Sequence, residues 1–168
     1  MRDQIMPERS HTTRRPENRS TVATSGDESY AVTAYISHTT IDAANAYELS
    51  EWWKLLLGYE DIPGDPNKPG HEECMIQDPE TGHQLLFIEV PDAKSVKNRL
   101  HLDLRPRSNS RDEEVEWLLS IGATKVADLR GKYGPGSGWV VFADPEGNEF
   151  CMLRSDAERA ADDQPIPS

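Results

Sequence analysis

The sequence predicts an α+β fold built from two β-α-β-β-β modules, whose curved mixed sheets surround a shared cleft. Each half of the 168-residue chain opens on a histidine-bearing strand and continues through an amphipathic helix that ends near a glycine. Each half then closes on an Asp-Pro-Glu turn and an apolar strand. These landmarks lie 63, 64 and 66 residues apart, in the pairs His38 and His101, Gly58 and Gly122, and Asp78 and Asp144. A period of this length is too long for a solenoid and indicates a duplicated module.

The caps of the two helices can be assigned from the sequence. Asn45 and Ser110 each precede an apolar helical stripe, and each has a glutamate three residues later, the spacing of a capping box. Gly58 and Gly122 follow the stripes and supply the left-handed conformation that ends a helix. The two predicted helices therefore occupy equivalent positions in the two modules.

The strand predicted from Arg99 to Leu104 alternates strictly between polar and apolar residues. Its leucines face the helix, whereas a guanidinium, an imidazole and a carboxylate share the other face, at Arg99, His101 and Asp103. The first strand, predicted over residues 32–41, carries His38 on the corresponding face. The remaining strands are predicted near residues 74–76, 85–90, 125–129, 139–142 and 149–153.

Both ends of the chain are polar and lack apolar periodicity. Residues 1–30 hold five basic and five acidic residues among many Ser, Thr and Pro, which predicts a disordered N-terminal arm. Residues 154–168 are predicted as a disordered tail in the same way. The folded domain is then residues 31–153, with modules of about 31–92 and 97–153.

Composition excludes several classes of partner. A net charge of −12 argues against nucleic acid, whose phosphates require a basic surface, and favours a cationic ligand slightly. No run approaches 18 apolar residues, so no membrane span is expected. The two cysteines, Cys74 and Cys151, lie at unrelated positions of the repeat and form no disulfide framework. A cytoplasmic location is the simplest interpretation.

Three segments carry a resemblance to a known superfamily: residues 97–104, 119–124 and 139–151. They are similar to hallmark segments of the actinobacterial glyoxalase-like branch of the vicinal oxygen chelate superfamily. That superfamily includes glyoxalase I, bleomycin-resistance proteins, fosfomycin-resistance proteins and extradiol dioxygenases. The resemblance covers about residues 31–155 and implies a glyoxalase/bleomycin resistance/dihydroxybiphenyl dioxygenase-like fold.

The resemblance also implies a metal site. Enzymes of this superfamily bind one divalent metal through the first and last strands of each module, and the matching positions here are His38, His101, Cys151 and Leu86. The metal expected from the resemblance is zinc, nickel, manganese or iron. Leu86 cannot be a ligand, and the nearby Glu89 has odd spacing from it and is expected on the other face. The alternative is that both histidines are satisfied by hydrogen bonds in a polar cleft.

Four residues are candidates for catalysis or substrate binding. Glu149, on the face of Cys151, and Asp103, on the face of His101, are the candidate general bases. Arg99, Asp103 and Trp139 are the candidate substrate-binding residues. Cys151 by itself is also compatible with a small buried apolar residue rather than a ligand or nucleophile.

Three functions remain open at this point. The first is a protein that binds a small organic molecule, an antibiotic or a metabolite, in a polar and aromatic cleft. The second is a divalent-metal-dependent lyase or isomerase of the glyoxalase type, with His38 and His101 as ligands. The third is a non-catalytic interaction protein. Members of the superfamily often form homodimers, which the resemblance therefore raises for this chain.

Overall fold

The computed structural model describes residues 21–22, 30–31 and 34–162. The strands β1 (Thr21–Val22) and β2 (Tyr30–Ala31) pair antiparallel in a unit that ends at Ile36. The rest of the predicted N-terminal arm lies outside the described residues. The second unit begins at Ser37 and contains the predicted module 97–153 and the predicted module 31–92 from residue 37 onward. No helix in the described part of the chain is long and apolar enough to cross a membrane.

The first module forms a four-stranded mixed sheet with the order β3-β6-β5-β4. Strand β3 runs parallel to β6, and the other neighbours are antiparallel. Helix α1 packs on the sheet through β3, β5 and β6. The elements are β3 (Thr39–Ala43), α1 (Ala46–Leu57), β4 (Glu60–Asp61), β5 (Glu73–Gln77) and β6 (Gln84–Glu89).

The second module repeats this arrangement with the order β7-β10-β9-β8, and again only the first pair is parallel. The elements are β7 (Asp103–Leu104), α2 (Arg111–Ser120), β8 (Thr124–Asp128), β9 (Val140–Ala143) and β10 (Glu149–Met152). The same strand order and directions in both halves confirm the duplicated β-α-β-β-β module. Neither four-stranded sheet closes on itself, since β3 and β4 are the edges of the first and β7 and β8 those of the second.

Both predicted N-caps are present, but only α2 has the complete capping box, because the Asn45 amide donates to Glu146 rather than to Glu48. The Asn45 side chain accepts a hydrogen bond from the Glu48 amide at 3.0 Å, and Gly58 adopts a left-handed φ of 69°. Ser110 and Glu113 form the complete capping box, in which each side chain accepts from the other residue's backbone N–H. Two amides that lack helical partners are thereby satisfied.

Ser110→Ala is expected to lower the free energy of unfolding by about 1 kcal/mol, because it leaves the Glu113 amide without its side-chain acceptor. Urea denaturation of the purified protein measures this loss. Ser95→Ala, at an exposed position outside any helix or strand, is the control and is expected to change stability by less than about 0.5 kcal/mol. Equal effects of the two substitutions would contradict a capping role.

Four features of the structure differ from the predicted elements. The strand predicted from Arg99 is ordered as a strand only at β7, because the parallel register with β10 contains just two residue pairs. Strand β3 begins at Thr39 rather than near residue 32, and the two-residue β4 was not predicted. A third helix, α3 (Asp156–Asp162), occupies part of the predicted tail. It is held by the Glu158 carboxylate, which accepts from the amides of Ser155 and Arg111. Residues 163–168 lie outside the described part.

An aromatic cluster joins the modules. Trp53 of α1 is 2% exposed, and its ring packs edge-on against Phe150 of β10 with centroids 5.4 Å apart. Its indole N–H donates to the buried carboxylate of Asp144, at 3.1 Å. Trp52 also contacts Phe150 and donates to the carbonyl of Ile121. Helix α1 is therefore fixed to the second module by packing and by two hydrogen bonds.

Candidate functional site

Three potential metal ligands meet on the polar face of the second sheet. Asp103 of β7 lies directly opposite Cys151 of β10 in the parallel register. His101 precedes β7 by two residues, and its Nδ1 is 3.2 Å from Asp103 Oδ1 and 3.6 Å from Cys151 Sγ. One ligand atom from each of the three residues lies within 4.8 Å of the other two. Of the three predicted ligands His38, His101 and Cys151, the structure brings together the last two and groups Asp103 with them.

The three side chains form a layered site. Cys151 is 3% exposed and forms the floor, whereas His101 and Asp103 are open to solvent. Burial, together with the carboxylate of Asp103, raises the pKa of the Cys151 thiol to about 12. The sulfur of the metal-free protein is therefore a neutral thiol near pH 7, which does not suit a nucleophile.

The two separations measured from His101 Nδ1 match those around a tetrahedral zinc ion. Zinc bonds of about 2.0–2.1 Å to nitrogen or oxygen and about 2.3 Å to sulfur, at tetrahedral angles, separate N and O donors by about 3.4 Å and N and S donors by about 3.6 Å. The observed separations from His101 Nδ1 are 3.2 Å to Asp103 and 3.6 Å to Cys151. Three residues would leave a fourth position open.

His38 lies apart from this group. It precedes β3 in the first module, is half-buried, and its Nδ1 lies 3.1 Å from the Ser37 hydroxyl. Among the described residues it is not part of a cluster of three potential ligands, so its role as a ligand stays a prediction. Glu89 accepts from the Ala46 amide at 3.4 Å, on the helix side of its sheet, as its odd spacing from Leu86 predicts.

The candidate general base Glu149 is already engaged. Its carboxylate accepts from the Asn98 amide at 2.8 Å and forms an ion pair with Lys97 at 3.3 Å. Burial acts to raise the pKa of Glu149, but these two contacts outweigh it and the pKa is lowered. The residue is therefore ionised at neutral pH and held at the edge of the same sheet face.

The other predicted binding residues, Arg99 and Trp139, do not join the three-ligand group. Trp139 is half-buried, and its ring stacks on Tyr133 with centroids 6.0 Å apart. Arg99 is exposed in the segment before β7. Their roles in binding a substrate stay predictions.

A larger cavity of about 700 Å³ lies between the modules. It is bordered by the end of α1, the Asp78 turn, and the segment that leaves β7. Arg107 crosses this junction and forms ion pairs with Asp78 at 3.6 Å and Glu80 at 3.2 Å. Asp103 is the one predicted site residue in its lining. The shared cavity and the three-ligand group therefore adjoin but do not coincide.

Comparison with known proteins agrees with this architecture. The family model for the glyoxalase-like domain matches residues 38–153. No curated protein matches the sequence. The fosfomycin resistance protein FosX from Listeria monocytogenes, a mutant of which was crystallised with Mn(II) and 1S,2S-dihydroxypropylphosphonic acid, has a similar fold with a TM-score of 0.56. It is 17% identical, and the alignment covers 79% of this chain and 100% of that one.

Two further structures have the same fold. FosX from Mesorhizobium loti is 11% identical with a TM-score of 0.53, covering 77% of this chain and 99% of that one. A structure described as a possible glyoxalase from Bacillus cereus is 14% identical with a TM-score of 0.52, covering 72% and 99%. The repeated modules, the open mixed sheets and a family match over most of the chain place this protein in the glyoxalase-like domain family of the vicinal oxygen chelate superfamily.

Proposed function

We propose that this protein binds a small oxygenated molecule at the polar face of its second sheet, through a zinc ion held by His101, Asp103 and Cys151. The observation that supports the proposal is the convergence of three donor atoms within 4.8 Å on a solvent-accessible face. A metal bound there would act as a Lewis acid toward an oxygen of the molecule.

The donor set favours zinc over manganese. Imidazole nitrogen and thiolate sulfur suit zinc, whereas manganese prefers carboxylate, carbonyl and water oxygens. The FosX of Listeria monocytogenes was crystallised with Mn(II). The last strand of the second module, β10, carries the thiol of Cys151. We therefore do not carry manganese over to this chain.

The chain's own residues give the site its shape. The buried Cys151 fixes the depth of the site, because β10 is paired on both sides, with β7 and β9. Without the ion, Asp103 Oδ1 lies 3.2 Å from His101 Nδ1 and holds the imidazole beside Cys151; both atoms would exchange this contact for zinc. The exposed imidazole and carboxylate leave the outer side accessible to a ligand.

Catalysis by this site is the second candidate. Glu149 lies two residues before Cys151 on β10, and the alternation of a strand places both side chains on one face. An ionised carboxylate there could take a proton from a bound substrate, as a lyase or isomerase of the glyoxalase type requires. Lys97 and Asn98 both donate to Oε2 of this carboxylate, so Oε1 is the oxygen that would take the proton.

The cellular location and the oligomeric state of the protein are also proposals. Both cysteines are free and buried, which agrees with a reducing compartment, and we place the protein in the cytoplasm. A homodimer and a purely non-catalytic interaction role stay predictions.

Metal titration tests the proposed site. Chelator-treated protein is expected to bind one zinc per chain, and His101→Ala and Cys151→Ser are each expected to weaken binding by roughly 100-fold or more. Affinity is measured by competition with a chromogenic chelator. His83→Ala is the control, because this exposed histidine bonds to Tyr59 outside the three-ligand group and is expected to leave binding unchanged.

Two further variants refine the ligand set. Asp103→Asn is expected to weaken zinc binding, and His38→Ala decides whether the first module contributes a ligand. Wild-type protein that binds no zinc, or binding that survives both His101→Ala and Cys151→Ser, would refute the proposed metal site.

A further inference from the structure

Three arginines converge on a second, smaller cavity at the end of the second sheet. Arg105 follows β7, Arg154 follows β10, and Arg159 lies on α3. All three line a cavity of about 220 Å³, together with Gly136, Gly138 and Leu153. This concentration of basic side chains is unusual in a chain of net charge −12.

Backbone carbonyls fix two of the guanidinium groups at the cavity. Arg105 donates to the carbonyl of Arg154 at 2.5 Å. Arg154 in turn donates to the carbonyls of Gly136 at 3.0 Å and Glu158 at 2.6 Å. These contacts tie the ends of β7 and β10 to α3, so the lining of the cavity is built by backbone as well as side chains.

The charge available to a ligand comes from Arg105 and Arg159. Each lies 3.7 Å from the same carboxylate of Asp156, which is 84% exposed. Such a long, solvent-screened contact is weak. The nearby Glu158 carboxylate accepts instead from the amides of Ser155 and Arg111 and from the Ser155 hydroxyl. Among the described residues, these two guanidiniums therefore share one exposed carboxylate.

The cavity is small and opens to solvent. A volume of about 220 Å³ corresponds to roughly seven water molecules at about 30 Å³ each. Pockets for drug-sized molecules begin at about 300 Å³. The planar, forked donors of arginine match the oxygens of phosphate and carboxylate groups. Size and charge together fit a single oxyanionic group.

We propose that this cavity binds the phosphate, phosphonate or carboxylate group of a small molecule. Net charge alone favours a cationic ligand, whereas the local field at Arg105 and Arg159 favours an anion. The cavity adjoins the three-ligand group, since Arg105 lies two residues beyond Asp103, or about 7 Å along an extended strand. A single substrate that spans the cavity and the three-ligand group would require the proposed function. The anion site in the cavity does not depend on it.

Anion titration of chelator-treated protein tests the cavity without the metal. Inorganic phosphate, methylphosphonate and acetate are titrated at constant ionic strength and followed by calorimetry, so that the three probes distinguish the chemical source of the anion. Saturable binding of at least one probe is expected. Arg105→Gln and Arg159→Gln are each expected to weaken it by roughly 10–100-fold. Arg105→Lys should retain part of the affinity, because it keeps the charge and loses the fork.

Arg107→Gln is the matched control. Arg107 is an exposed arginine in ion pairs with Asp78 and Glu80, at the larger cavity, and its loss should leave anion binding unchanged. If the Arg105→Gln variant does not fold, as judged by the absence of a cooperative unfolding transition, the anion affinity of Arg159→Gln tests the site instead, because Arg159 lies on the more exposed α3. Absence of saturable binding, or an equal loss in the Arg107 variant, would overturn the proposal. Zinc titration without added phosphate stays a separate measurement, so failure of one site is distinguishable from failure of the other.

Discussion

Trp53→Ala is expected to lower the free energy of unfolding by about 3–5 kcal/mol, the range for truncating a buried aromatic side chain. Trp53 is 2% exposed and contacts Phe150 across the junction between modules. Its loss also removes the indole donor from the buried Asp144 carboxylate. Thermal unfolding should show a fall of roughly 10–20 °C in Tm.

Two variants separate the contributions at Trp53. Leu55→Ala lies on the same helix at a residue that is 59% exposed, and is expected to cost less than about 1 kcal/mol. Trp53→Phe keeps an aromatic ring but removes the N–H, and should cost about 1–3 kcal/mol. A Trp53→Ala effect no larger than that of Leu55→Ala would show that the aromatic cluster does not hold the modules together.

Gly138→Ala should destabilise the second module by more than about 2 kcal/mol, because there is no room for a side chain at this position. A Cβ atom would lie 1.9 Å from the Leu129 carbonyl oxygen, and Gly138 has a φ of 80°. The clash is with a backbone carbonyl and the strain is in the backbone of residue 138 itself. The segment that leads into β9 must therefore move to accept the alanine. Chemical denaturation of the variant measures the loss.

Gly131→Ala separates backbone strain from steric clash. Gly131 has a similar φ of 73°, but a Cβ there would meet nothing within 4 Å. It should therefore cost only the strain of a left-handed alanine, about 1–2 kcal/mol. Equal losses at the two glycines would mean that the close approach to Leu129 is relieved at little cost.

The fold was predictable because its signals are local and occur twice. Capping residues such as Ser110 and the left-handed Gly58 act within a few residues, and the structure has both helices where they indicate. The strand at Arg99 was predicted too long. Alternation of polar and apolar residues indicates which face of a strand is polar, but the number of paired residues depends on the neighbouring strand. Strand β10 offers β7 only two paired positions, Cys151 and Met152.

The candidate site was predictable only in part. The resemblance to the superfamily pointed to His38, His101 and Cys151, and alternation placed Asp103 on the face of His101, but only the parallel register brings Asp103 beside Cys151. The arginine cavity was missed for a different reason. Arg105 and Arg159 come from separate segments, and α3 lies where a disordered tail was expected. No sequence period links such residues.

Contacts between the two modules hold the start of α1 and the segment that precedes α2. The Glu146 carboxylate of the second module accepts from the amides of Ala44 and Asn45, directly before α1. Arg107, shortly before α2, pairs in turn with the Asp78 turn of the first module. During synthesis on the ribosome, the amino-terminal half emerges with these two amides and the Trp53 ring lacking their partners. We expect stable folding to wait until almost the whole domain has been translated, so premature termination would release an aggregation-prone fragment rather than a functional half.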